Sequence, residues 1–482
     1  MDEPLIDRLI KVLCLPSSPE KSTGCDVLYC LACCFPRTIM EIPVTVTERL
    51  MDVYLRRSYA RQMHLELGTP LALPDVTAQQ PRVLYLHIPF CESLCPFCSF
   101  HRVLLNQLKA TTYFRALRQE LRIIADKGYQ PDIVYVGGGT PTILPEELAR
   151  TLELVRSLFP VRQVSVETNP NHLRDDVLTV LKAAAVDRLS VGIQTFDDGL
   201  LRNMGRYESY GSGDQNRERL RFAQGWFGTL NADMIFNLPG QSETALLRDL
   251  DILIHEVQVD QTSIYPLMTS MRTVKAMSKS MGPYSLRNEK PFFDRIRHEM
   301  APHYQLSSVW CYSRNAGLTD EYIISNTSFI GAGSGAFSYL DGVMYANTFA
   351  INRYARMIHA TGAAVTAHRV LQDFEQARYD LVMALFGLCL HKDDFLKRYG
   401  GRFFTLLWKE FLALRLAGTI VDDAGEIRLT RRGQYHWVIM MREFFNGVNN
   451  FRDQMRDHVR AERDMPDRPA HPLDKHHARQ PG

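Results

Sequence analysis

The stretch CESLCPFC places cysteines at 91, 95 and 98. It follows VLYLHIPF, a run of aliphatic and aromatic residues that predicts a strand over 83–90. Thiolates bind soft metals, and two chemistries suit this trio. With His101 it would complete a closed four-ligand zinc site, although such sites usually gather two separated pairs and this is a single loop. The alternative is a 4Fe–4S cluster, which normally takes four cysteines. With three, one iron keeps an open position that can bind a substrate or a second cofactor. The next cysteine after this loop, Cys311, lies more than 200 residues on, so no fourth thiol follows at suitable spacing.

Other chemistry-bearing residues sit at the ends of strand-like runs. DIVYVGGG (132–139) ends in Gly137, Gly138 and Gly139, which expose backbone groups without side chains in the way. No G-x-G-x-x-G accompanies them, so a dinucleotide fold is not indicated. QVSVETNP (163–170), RLSVGIQT (188–195), ADMIFNLPG (232–240) and QTSIYPLM (261–268) carry Glu167, Gln194 and Asp233, and Arg206 follows in NMGR. Helical segments fill the gaps. In PEELARTLELVRSLF, Pro145 suits the first helical position and Glu146 and Glu147 the positive end of the helix dipole. Leu148, Leu152, Val155 and Phe159 make one buried stripe, as do Leu117, Leu121 and Ile124, and Leu246, Leu250 and Leu253. Strands alternating with helices imply a parallel sheet with right-handed crossovers. The class is α/β, a partial (β/α)6 TIM-like barrel open on one side, whose chemistry gathers at the C-terminal strand ends.

The flanking segments differ. Residues 370–460 read as a helical C-terminal domain, and FLALRLAGTIVDDAGEIRLTRRGQYH within it has a winged-helix-like pattern with a packing role. The expected divisions are an N-terminal extension and arm over 1–82, the barrel and its extension over 83–369, the helical domain over 370–460 and a disordered tail over 461–482. Residues 1–50 hold Cys14, Cys25, Cys30, Cys33 and Cys34, with one C-x-x-C pair but no further ligands at zinc-like spacing. They read as a loose extension, with Met40 or Met51 as alternative starts. HPLDKHH (471–477) reads as solvated tail rather than a metal chelator.

The 482 residues have ordinary globular composition, 45% hydrophobic and 23% charged. Lys and Arg total 56 against 54 for Asp and Glu, which argues against nucleic acid or a membrane surface as a general partner. No apolar run reaches the roughly 20 residues of a membrane span, and no secretion signal is evident. Clustering of the ten cysteines fits a reducing cytoplasm and metal chemistry better than disulfides.

C-x-x-x-C-x-aromatic-C on the loop after the first barrel strand resembles the radical S-adenosylmethionine enzymes. The longer string YLHIPFCESLCPFCSF, with VGGGTP and ETNP at the next two strand ends, is similar to their coproporphyrinogen dehydrogenase-like branch. The resemblance covers roughly residues 83–455. It implies that Cys91, Cys95 and Cys98 hold a 4Fe–4S cluster. It also implies that Tyr85, Gly137, Gly138, Gly139, Thr140, Glu167, Gln194, Arg206 and Asp233 bind S-adenosylmethionine. Backbone acceptors would meet the cofactor's ammonium, Glu167, Gln194 and Asp233 hydroxyl groups, and the Arg206 fork its carboxylate. The implied chemistry is reductive cleavage to a 5′-deoxyadenosyl radical, which abstracts hydrogen under anaerobic conditions, with electrons from a flavodoxin or ferredoxin-like donor.

Within the branch, oxygen-independent coproporphyrinogen dehydrogenases carry a Tyr- and Pro-rich arm that YLRRSYARQMHLELGTPLALPD does not show. Haem chaperones begin near the HIPFC strand, whereas some 80 residues precede it here. IYPLMTSMRTVKAMSKSMGP (264–283), FIGAGSGAFSYLDGVMYANTF (329–349) and YHWVIMMREFFNGVNNFR (435–452) resemble a third type, the haem-utilisation methyltransferases or anaerobilin synthases. That type implies oxygen-independent haem opening with iron release, and a second S-adenosylmethionine as methyl source. GAGSGAFSY (331–339) would then shape the second cofactor or porphyrin site. His87 is a candidate haem ligand, or a residue that tunes the cluster through hydrogen bonding. The expected function is haem degradation, with coproporphyrinogen oxidation and non-catalytic haem trafficking as alternatives. No catalytic residue is singled out.

Overall fold

A computed structural model describes residues 65–74, 76, 81–315 and 328–464, the side chains of 68–70 and 460–464 excepted. The five N-terminal cysteines, Met40, Met51 and the 471–477 histidines lie outside the described residues. No described helix is long and apolar enough to cross a membrane.

The first barrel strand, Val83–Ile88, is buried at every position, as expected of a parallel strand covered on both faces. It pairs in parallel with Ile133–Gly138, which continues through Gln163–Thr168, Arg188–Gln194, Thr229–Phe236 and Gln261–Pro266. These are the six expected strands in sequence order. A strand that the sequence did not signal, Phe329–Ala332, lies parallel on the other side of Val83–Ile88. From there antiparallel strands Phe337–Leu340, Val343–Asn347, Val365–Val370 and Glu66–Leu71 extend the sheet. At the opposite edge Cys311–Ser313 and Gln305–Leu306 complete thirteen strands.

Helices cover the sheet for local reasons. Asn106 caps Gln107–Asp126 by accepting from the Lys109 amide, and Leu117, Leu121 and Ile124 are buried below it. Pro145 opens Pro145–Leu158 with Glu146 and Glu147 in the first turn, and Leu148, Leu152, Val155 and Phe159 face the core. Leu246, Leu250 and Leu253 are likewise buried. Beyond the main sheet, helices surround a three-stranded antiparallel sheet of Cys389–His391, Glu426–Leu429 and Ile420–Asp422. The chain then runs into the helix Arg431–Asp464, 34 residues or about 50 Å long. This helix crosses back to the barrel mouth, where Arg456 donates to the Ser99 and Phe100 carbonyls at 2.5 and 2.6 Å.

Candidate functional site

The C-terminal ends of the parallel strands enclose a cavity of about 320 Å³. Cys91, Cys95 and Cys98 open into it, with Tyr85, Gly138, Gly139, Glu167, Gln194, Arg206 and Asp233 around them. Two expected residues stand behind its wall. Gly137 lies against the Glu167 carboxylate, close enough that a Cβ would come within 2.9 Å of it. Thr140 is buried and its hydroxyl approaches the Cys91 sulfur at 3.6 Å.

The cysteine loop is tied down from several directions. The Arg102 guanidinium donates to the Cys95 carbonyl. Arg206 sits over the Tyr210 ring at 4.2 Å, places one nitrogen 3.7 Å from the Cys95 sulfur, and donates from the other to Gly192 O and Asn169 Oδ1. Asn169 in turn donates to Thr140 Oγ1 at 2.8 Å. Cys91, Thr140, Asn169, Arg206 and Cys95 thereby form one continuous polar chain around the loop. A side chain at Gly139 would meet the Phe90 carbonyl at 2.6 Å and the Cys91 sulfur at 2.9 Å. Gly138, at φ +121°, holds a backbone conformation that side chains resist.

Burial pushes the Cys91 thiol up to about 12, against the Thr140 hydrogen bond that lowers it. An ionised Cys91 thiolate therefore needs a cationic metal group beside it. The donor set fits a cluster better than a single ion. Thiolates on one zinc lie about 3.8 Å apart, given bonds of about 2.3 Å. Among the described residues, the trio of possible ligand atoms that lies within 4.8 Å of one another is Cys389, His391 and Glu426, not the cavity cysteines. Nor does His101 join them as a fourth ligand. It is buried, stacks on His87, meets Phe349 in a tilted ring contact, and its Nε2 meets the Ser334 hydroxyl at 3.2 Å.

His87 is not placed as a haem ligand. Its Nε2 donates to the His101 carbonyl at 2.8 Å and its Nδ1 accepts from Tyr85 OH at 2.9 Å, so both ring nitrogens are engaged. Burial lowers its pKa to about 4, and the ring is neutral near pH 7. It orients Tyr85 and the Cys98–Arg102 segment instead.

Part of the cavity lining is polar. Glu167 accepts from Tyr135 OH and the Gly138 amide at 3.0 and 3.2 Å. Burial, reinforced by Asp233, raises its carboxyl to about 7. Asp233 is oriented by Ser190, Asn231 and Tyr265. At Gln194 the strand register slips and φ is +75°, a bulge that turns this side chain to the cavity.

Asn169, Tyr135 and Tyr265 are not singled out by the sequence. Asn169 lies within the ETNP string, two residues after Glu167. The outer wall comes from the three stretches at 264–283, 329–349 and 435–452. They supply Leu267 and Met268, Gly335 and Phe337, and Phe445, Asn449 and Arg452. Arg452 lies over Phe100 at 4.7 Å and Phe337 at 5.7 Å. The GAGSGAFSY segment divides. Gly335 and Phe337 reach the cavity, while Gly333 and Ser334 are held in the core by Glu120 and Tyr113.

Residues 85–251 match the family model of the radical SAM superfamily. The haem chaperone HemW of Mycobacterium tuberculosis is 30% identical over 312 residues, 60% of this chain and 78% of that protein. The oxygen-independent coproporphyrinogen III oxidase of Salmonella typhimurium is 27% identical over 398 residues, 74% of this chain and 83% of the enzyme. Among solved structures, the coproporphyrinogen III oxidase HemN of Escherichia coli superposes with a TM-score of 0.65 at 22% identity, covering 80% of this chain and 93% of that one. None of these names is that of a haem-degrading enzyme.

Proposed function

Because this chain belongs to the radical SAM superfamily, in the branch that includes HemW and the oxygen-independent coproporphyrinogen III oxidases, we propose that it directs radical chemistry at a tetrapyrrole, with haem as that tetrapyrrole. Its cofactors are those of the superfamily, a 4Fe–4S cluster and S-adenosylmethionine. Together they supply a carbon radical able to take hydrogen from a substrate C–H bond. The residues present fit them. Cys91, Cys95 and Cys98 would hold the cluster, with Arg206 balancing thiolate charge. Gly138 and Gly139 keep the floor low, and Glu167, Gln194 and Asp233 offer acceptors for hydroxyl and ammonium groups.

One observation carries the substrate class. The cavity that holds the cysteines is also lined by Phe100, Phe337, Phe445, Leu267 and Met268, with Arg452 among the rings. A flat apolar macrocycle with carboxylates at its edge suits such a wall, the faces on the aromatics and a propionate on the guanidinium. Coproporphyrinogen III, a tetrapyrrole richer in propionates, is the second reading, favoured by the match over 83% of the Salmonella oxidase. Haem opening with methyl transfer, and a second S-adenosylmethionine, rest on the likeness of the three stretches alone. They enter as an outcome of the test.

The test is anaerobic incubation of the cluster-loaded protein with S-adenosylmethionine, a flavodoxin or ferredoxin-type donor, and either haem or coproporphyrinogen III. The expected result is 5′-deoxyadenosine formation that depends on haem, with loss of the haem absorption band if the ring opens. Carbon dioxide released from coproporphyrinogen, with no response to haem, establishes the second reading. Haem bound without 5′-deoxyadenosine establishes trafficking and removes catalysis.

A further inference from the structure

The C-terminal three-stranded sheet carries a side-chain cluster that the cavity does not use. Cys389–His391 pairs antiparallel with Glu426–Leu429, with His391 opposite Glu426, Leu390 opposite Ile427 and Cys389 opposite Arg428. Alternation fixes the faces. Leu390 and Ile427 are fully buried, so Cys389, His391, Glu426 and Arg428 share the outward face. There Glu426 Oε2 lies 3.3 Å from Cys389 Sγ and 3.9 Å from His391 Nδ1. The other oxygen, Oε1, is held by Arg428 Nε at 3.0 Å.

We infer that Cys389, His391 and Glu426 form a second metal site, suited to Zn²⁺ and separate from the cluster cavity. The three ligand atoms lie within 4.8 Å of one another. Ligands on a tetrahedral zinc, with bonds of about 2.0–2.3 Å, stand about 3.3–3.6 Å apart, so Cys389 and Glu426 at 3.3 Å already have that spacing, His391 and Glu426 at 3.9 Å nearly do, and the whole trio closes with side-chain movement of about 1 Å or less. Thiolate, imidazole and carboxylate together select zinc over calcium or magnesium, which take oxygen ligands. Arg428 performs the outer task of a metal site: it fixes one carboxylate oxygen and leaves the other aimed at the ion. Three protein ligands leave a fourth position for water, and the exposed His391 makes it accessible. Bound there, the metal would pin the Cys389–His391 strand to its neighbour across the sheet.

The test uses the full chain with its cluster assembled, titrated anaerobically with Zn²⁺ against a competing chelator. The wild type is expected to take up a single equivalent more than Cys389→Ser, His391→Ala or Glu426→Gln, with the cluster absorbance equal in all four. Co²⁺ in place of Zn²⁺ is expected to give a thiolate charge-transfer band that Cys389→Ser lacks. His391 is exposed, so His391→Ala keeps the fold and guards against a folding artefact. Equal uptake and affinity in wild type and all three variants, or no uptake beyond the cluster, overturns the site.

Discussion

At the scale of single residues, the cavity depends on side chains that bridge others. Asn169 joins Thr140 to Arg206 and so couples the surroundings of Cys91 and Cys95. Asn169→Ala leaves part of the buried Arg206 fork without its acceptor, a loss of about 1–3 kcal/mol. The expected result is a lower urea midpoint together with faster loss of iron to a chelator. Thr111→Ala, on an exposed helix face, changes neither. Glu167 gives a prediction in pH. Its carboxyl ordinarily titrates near 4.5 and is raised to about 7, so the folded protein retains a proton that the unfolded chain releases in that window. Stability therefore falls as pH rises from 4.5 to about 7, by about 3 kcal/mol at most. In the cofactor-free protein, Glu167→Gln is expected to flatten the dependence of the melting temperature on pH across that interval. An unchanged slope removes Glu167 as its source.

At the scale of elements, the cysteine loop is held by a helix that lies some 350 residues further along the chain. Arg456 donates to the Ser99 and Phe100 carbonyls, immediately after Cys98. Arg456→Ala removes two charge-assisted bonds, each worth about 1.5–3 kcal/mol. It is expected to speed cluster loss while leaving far-UV circular dichroism unchanged. Gly139→Ala tests the same loop from the strand side, since the added methyl would meet Phe90 O and the Cys91 sulfur. It is expected to abolish cluster assembly, read as iron content after reconstitution. Gly240→Ala, which meets open space, pays only for its positive φ and is expected to retain the cluster.

At the scale of the molecule, the Arg431–Asp464 helix is secured by a buried ion pair. Arg442 bonds Glu289 and Glu443, all three nearly without solvent access, and Tyr435 OH donates to Glu289 at 3.2 Å. Removing one partner of a buried pair costs about 3–5 kcal/mol. Glu289→Gln is expected near the low end, because Glu443 still faces Arg442, and denaturant titration measures it. Anchoring this helix fixes both Arg456 on the cysteine loop and Arg452 on the outer wall, so under the proposed function the same variant is expected to weaken haem binding.

The sequence alone determined the parts that follow from local pattern. Cysteine spacing narrowed the metal chemistry to zinc or an iron–sulfur cluster and the family resemblance chose the cluster, alternation of apolar strands with amphipathic helices set the parallel sheet, and strand-end positions set which polar residues share a rim. Those signals are legible because strand and helix periods and loop ligands are encoded within a few residues. Tertiary structure decided what depends on distant segments meeting: the seventh parallel strand at Phe329–Ala332, the engagement of both His87 nitrogens, the Asn169 bridge, the Arg452 wall, and the Cys389, His391 and Glu426 trio. Each is fixed by sheet register, loop folding or helix docking, at separations from 2 residues for Tyr85 and His87 to about 350 for Phe100 and Arg452, which settle only once the core is packed.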